Sequence, residues 1–166
     1  MSNAAAEEAL AHCHISSLLS RYYQAIDVAN FTALDDEVLA DDAVWEVVQH
    51  SPTGGTIEDT VSGRADIVAW FEQIMGGEVS MSEGTVRHFI NTHVITVDGD
   101  RAHSTSHLQA VGTDTMAILS VGFAEADHVR TERGWRIRRY RLDEHITDAD
   151  MAAFKAAFDT AVQTAS

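Results

Sequence analysis

The sequence predicts an α+β fold, and three observations carry that reading. Apolar residues recur at helical spacing through the opening segment Glu7–Asp27 and again over Ile67–Ile74. The period then changes: strand-like alternation runs from Thr85 to Leu142, broken by two tight-turn signals, Asp98-Gly99-Asp100 and Glu132-Arg133-Gly134. A last helical stripe follows a capping signal formed by Thr147 and Asp150. Helices first and an antiparallel meander after them mean α+β, and one curved sheet wrapped around the helices would enclose a pocket.

Each element has its own local warrant. In the first helix Leu10, Ile15, Leu18, Leu19, Tyr22 and Ile26 share a stripe. Asn30 or Thr32 restarts a short helix, with Thr32 and Asp35 spaced as a capping box before Leu34, Val38 and Leu39. Ala43–Gln49 is rich in β-formers, Pro52-Thr53-Gly54-Gly55 turns the chain, and a second short strand is expected over Ile57–Val61. Ser62-Gly63 precedes a helix presenting Ile67, Trp70, Phe71 and Ile74, and Gly76-Gly77 ends it. Two long hairpins follow, Thr85–Val97 with Arg101–Val111 and Thr115–Arg130 with Trp135–Leu142. The closing helix, Thr147–Gln163, carries Met151, Phe154, Phe158 and Val162 on one face.

Composition narrows the function. The 166 residues fit a single domain, 1–166, with 45% hydrophobic and 22% charged residues, as in ordinary globular proteins. A formal net charge of −15 repels phosphate backbones, so no nucleic-acid partner is expected. No apolar run approaches the roughly 20 residues of a membrane span and no signal peptide opens the chain, so the reading is cytoplasmic with no membrane partner. A single cysteine, Cys13, excludes an internal disulfide and a cysteine-based zinc site. No HExxH or comparable spacing appears among the nine histidines, so neither metal nor cofactor is expected. Nucleophilic catalysis has no GxSxG elbow to use.

The remaining chemistry rests on carboxylates and histidines. If Asp98 pairs with Arg101, His88 faces Val111 and His107 faces Thr92; the two histidines then share a sheet face about 13 Å apart, with His93 on the other face. A bulge would change that register. Asp27 ends the first helix on the row of Tyr23, where a carboxylate opposes the helix dipole and calls for a compensating partner. From the pattern alone Asp27 reads equally as a solvated aspartate, and His88 as a structural histidine. His12, His14, His50, His103, His128 and His145 read as surface residues.

Several ordered segments together resemble the SnoaL-like branch of the nuclear transport factor two superfamily. They are Arg21-Tyr22-Tyr23-Gln24-Ala25-Ile26-Asp27, Leu39-Ala40-Asp41-Asp42-Ala43-Val44-Trp45, Gly63 before Ile67 and Trp70-Phe71, Arg87-His88-Phe89-Ile90-Asn91, and Gly134-Trp135-Arg136-Ile137. The resemblance implies a cone-shaped α+β barrel, a curved mixed sheet over three helices with a cavity at its open end and an extra C-terminal helix. In dehydratase and dehydrochlorinase members an aspartate ending the first helix pairs with a sheet histidine, and Asp27 and His88 fall on those positions. The dyad would act as a general base on carbon, with Tyr22, Glu46 or His107 as the acid or polarising group. This chain departs from scytalone dehydratase in carrying Ile26 and Glu46 where that enzyme resembles a tyrosine pattern.

The implied function is a small cofactor-independent lyase or isomerase, dehydratase-like, acting on a hydrophobic and cyclic small molecule. Tyr22, Tyr23, Trp45, Glu46, Phe71 and His107 are its substrate-binding candidates, with Phe154 and Phe158 as further wall. The alternatives are a non-catalytic small-molecule-binding module and a polyketide-cyclase-type enzyme; a dioxygenase small subunit fits less well. Hydrogen-bond contact between Asp27 and His88 inside a closed cavity would separate the first reading from the second. A homo-oligomer, trimer or dimer, is expected through the outer sheet face, because Phe89, Asn91, His93, Ile95 and Val97 alternate with the His88 face and are too apolar for water.

Overall fold

The computed structural model describes residues 3–76, 86–153 and 155. Helix α1 (Asn3–Asp27) buries Ala11, Ile15, Leu18, Leu19, Tyr22, Tyr23 and Ile26 along one side. Leu10, expected on that stripe, is 55% exposed. The helix stops in a Schellman arrangement: the Asn30 N–H donates to Ala25 O (2.8 Å) and the Ala29 N–H to Ile26 O (3.1 Å). Ala29 takes the left-handed conformation, φ 51°, that glycine usually supplies there.

A short helix α2 (Phe31–Ala33) follows, capped by Asn30, whose Oδ1 accepts from the Ala33 N–H at 3.2 Å. The expected Thr32–Asp35 box does not form, because the chain passes directly into a π-helical turn, Leu34–Val38, that buries Leu34 and Val38 completely. Strand β1 (Leu39–Ser51) turns into β2 (Gly55–Ser62), and Gly63 at φ 97° leads into α3 (Arg64–Gly76). Arg64 fixes the start of α3 through ion pairs to Asp35 (2.8 Å) and Asp41 (2.9 Å). Strands β3 (Val86–Asp98), β4 (Arg101–Gly112), β5 (Ile118–Thr131) and β6 (Gly134–Ile146) form the meander.

The six strands make one mixed sheet in the order β2-β1-β6-β5-β4-β3. Only β1 and β6 run parallel, with Trp45 beside Tyr140 and Gln49 beside Glu144. The ladder ends at β2 and β3 without those edges pairing, so the expected cone-shaped barrel is, among the described residues, an open six-stranded sheet. Most inward residues of β4 and β5 are small (Ala102, Ser104, Ser106, Ala110, Ala124, Ala126), and Ala102, Ala124 and Ala126 join the main core with the α1 stripe, Trp45, Phe71 and Tyr140. No helix among the described residues is long and apolar enough to cross a membrane.

One bulge changes the expected register. Asp98 pairs with Arg101 as predicted, but Thr92 and His93 together oppose Ser106, and Thr92 adopts φ 53°. His88 therefore faces Ala110 rather than Val111, and His107 faces Asn91 rather than Thr92. The side-chain period is two, so a one-residue insertion reverses every face beyond it. Ile95 and Val97 pack into the core instead of lying outside, and His93 Nδ1 contacts the buried Ser106 hydroxyl at 2.7 Å. The outer face retains Phe89, Val94, Val121 and Phe123, all exposed.

The final helix starts as predicted: the Asp150 N–H donates to Thr147 Oγ1 (3.1 Å), and that hydroxyl donates to Asp150 Oδ2 (2.5 Å). Residues 148–153 are helical, and Met151 packs in a small cluster with Ile146, Ile57 and Trp70. Asp148 ties this start to the β1–β2 turn by accepting from the Thr53 N–H (2.9 Å) and hydroxyl (2.7 Å), bonds that hold its carboxyl below the usual range. Phe154 and Phe158, like Thr85 and Gly77, lie outside the described residues.

Candidate active site

The end of α1 meets the start of β3. The Asp27 carboxylate accepts from His88 Nδ1 at 2.6 Å, and its second oxygen accepts from the His88 backbone N–H at 3.2 Å. Arg87 Nη1 donates to the Asp27 carbonyl at 3.2 Å, placing a cation at the negative end of the helix dipole. Two donors to the carboxylate and a cation at the helix end thus compensate a charge that the helix alone would disfavour. The Asp27 side chain is 10% exposed and that of His88 21%. A carboxylate only accepts, so Nδ1 carries the proton and Nε2 presents a lone pair. Among the described residues Nε2 has no hydrogen-bond partner.

Both side chains line a cavity of about 90 Å³ walled by Tyr22, Tyr23, Ile26, Trp45, Phe71 and Ile74. A single water needs about 10–15 Å³ of such space, so the cavity has room for several waters or one small ring. Its walls are mostly aromatic and aliphatic with few polar groups, the composition of a small-molecule site. Trp45 Nε1 donates to the Tyr22 hydroxyl at 2.8 Å, which leaves the Tyr22 proton to donate elsewhere. The hydroxyls of Tyr23 and Tyr140 are hydrogen-bonded to each other, and the Tyr23 ring lies 5.0 Å from the His88 ring. Burial, then the neighbouring tyrosine, pushes the Tyr22 and Tyr23 hydroxyls well above the usual phenol range, so both stay protonated. Burial does the same to Tyr140.

Two sequence candidates lie elsewhere. Glu46 sits on the opposite face of β1 from Trp45, in a 2.5 Å ion pair with Arg139. His107 is carried to the outer face by the β3 bulge, where it is exposed and edge-on to Phe123 at 4.7 Å. Neither lines the cavity with the dyad. His128, read from sequence as a surface residue, is 2% exposed. Sequence reasoning also missed two polar cavity residues, Gln49 and Glu144. They stand 95 positions apart, and the parallel β1–β6 pairing that unites them leaves no local signal. Their one trace is parity: Gln49 shares the Trp45 face of β1.

The sequence of residues 7–141 matches the model of the SnoaL-like domain, and the chain belongs to that family. Among curated proteins nothing matches. Solved structures agree on the fold. An NTF2-like protein with a cystatin-like fold from Novosphingobium aromaticivorans is 25% identical, with a TM-score of 0.64 over 95% of this chain and 96% of that one. A proposed aromatic ring hydroxylase from the same organism is 27% identical, with a TM-score of 0.60 over 79% of this chain and 86% of the other. A proposed scytalone dehydratase, again from Novosphingobium aromaticivorans, is 18% identical, with a TM-score of 0.60 over 81% and 84%; it bears on the fold alone.

Proposed function

We propose that this protein is a cofactor-independent lyase or isomerase that abstracts a proton from carbon in a small, hydrophobic, cyclic substrate. The observation that carries this reading is the Asp27–His88 contact of 2.6 Å at the wall of a mostly apolar cavity. Asp27 fixes the tautomer and stabilises the imidazolium that forms, while His88 Nε2 takes the proton from a carbon beside a carbonyl. The electron pair of that C–H bond moves to the carbonyl oxygen as an enolate. The Tyr22 hydroxyl, accepting from Trp45 and kept protonated by burial, supplies the donor for that oxygen. In a lyase the enolate then expels a β-hydroxyl, which leaves as water with the proton from the imidazolium. In an isomerase that proton returns to another carbon. Either course balances without an external oxidant or reductant.

A test that needs no knowledge of the substrate is α-proton exchange of small cyclic ketones in D2O, followed by NMR. The wild-type protein is expected to accelerate exchange of cyclohexanone or cyclopentanone over buffer. His88→Ala should abolish the acceleration, and Asp27→Asn should lower it by orders of magnitude through the wrong tautomer, with circular dichroism unchanged. Equal exchange in wild type and both variants refutes the mechanism and favours a binding module.

A further inference from the structure

The cavity has a second polar station that the proton-transfer chemistry does not use. Gln49 on β1 and Glu144 on β6 both line it, 1% and 7% exposed. Gln49 Nε2 donates to Glu144 Oε1 at 2.8 Å. That bond orients the amide, since the flipped rotamer would set two acceptors against each other. Among the described residues the Gln49 Oε1 atom is left buried with no hydrogen-bond partner. A buried unpaired acceptor costs about 1–3 kcal/mol, and a polar atom left so in a cavity wall asks for a donor. Glu144 Oε2 also lacks a hydrogen bond among the described residues, so the station offers two acceptor oxygens, beside the second N–H of the Gln49 amide.

The backbone holds this station in place. Gly122 on β5 pairs with Glu144, and a Cβ there would meet Asp143 O at 2.3 Å and the Glu144 Cα at 2.7 Å. Strands β5 and β6 thus approach too closely behind Glu144 for any side chain at position 122. In the sheet order β6 is three strands from β3, which carries His88. The two stations therefore address different parts of one small molecule.

We infer that Gln49 Oε1 and Glu144 receive a hydroxyl or N–H group of the ligand, so that the substrate is a small ring carrying a hydrogen-bond donor away from the carbon that faces His88. The inference takes the cavity as the ligand site of the proposed function, and it is tested by binding alone. A site built to accept from a donor rejects the analogue that lacks one, because its own acceptors are then left unpaired. The aromatic walls at Trp45 and Phe71 suit a planar ring, and the three probes phenol, anisole and toluene differ chiefly in the donor.

Ligand-observed NMR titration of the full chain with these probes decides the matter. The expected result is phenol binding at least ten-fold tighter than anisole or toluene. Gln49→Met should reduce that preference to within two-fold. Glu144→Gln, which replaces one acceptor oxygen by a donor, serves the same purpose if the Met variant does not fold, and should shift preference toward anisole. Equal affinity for the three probes in the wild type, no binding of phenol at millimolar concentration, or an unaltered preference in a folded variant overturns the inference. Failure of ketone exchange with retained phenol preference would sink the proposed reaction and leave this recognition site standing.

Discussion

Acid should destabilise this protein through one residue remote from the dyad. His128 on β5 is 2% exposed; its Nε2 contacts the Ser104 hydroxyl at 2.8 Å, and its Nδ1 is buried without a hydrogen-bond partner among the described residues. Burial pushes the imidazole from its usual 6.5 down to about 4, against the opposing pull of the Asp127 carboxylate and with a smaller contribution from His103. Between those values the unfolded chain binds a proton at this site that the folded chain refuses, so stability rises with pH there. The contribution is full above 6.5 and is lost as pH falls toward 4. A depression of this size corresponds to a loss of about 1 kcal/mol by pH 5.5 and about 2–3 kcal/mol by pH 4.5. Many carboxylates titrate over the lower part of this window, so the reading must be differential. Urea unfolding of the wild type and His128→Gln at pH 7.5, 5.5 and 4.5 supplies it, with m-values checked for constancy. The stability gap between the two should move in favour of the glutamine variant by about 2–3 kcal/mol from pH 7.5 to 4.5. Parallel pH profiles would refute the argument, because they would mean that His128 charges without cost where it lies.

Three further outcomes are expected. Ala29→Gly relieves a left-handed alanine at the end of α1 and should raise stability by about 0.5–1 kcal/mol in thermal or chemical unfolding; a loss would show that the backbone there relaxes. Gly122→Ala forces a Cβ within 2.3 Å of Asp143 O and should cost about 1–3 kcal/mol, read as a lowered urea midpoint; an unchanged midpoint would refute the close approach. We propose that the exposed Phe89, Val94, Val121 and Phe123 are covered by another copy of the chain, so light scattering at micromolar concentration should give a multiple of 18.1 kDa, reduced by Phe123→Asp; a mass near 18.1 kDa for the wild type decides for a monomer.

What could be read from the sequence alone was local. Helix α1 and its end at Asp27, the turn at Asp98-Gly99-Asp100 and the Thr147–Asp150 cap all express short-range preferences of a few neighbouring residues, and the structure has each of them where the pattern put it. The ordered motifs carried the family, since they sample the chain from Arg21 to Ile137. Tertiary structure decided the rest, because faces and partners depend on register and on pairing between distant strands. Two residues at Thr92–His93 opposing one at Ser106 turned His107 outward and Ile95 and Val97 inward, a reversal that no alternation count can reveal. Glu46 found Arg139 on the neighbouring strand and left the cavity to Gln49 and Glu144, which only the parallel alignment of β1 with β6 brings together. Which polar groups share a cavity is a property of strand order, and strand order is chosen by burial of the whole sheet against α1, not by any segment of the chain.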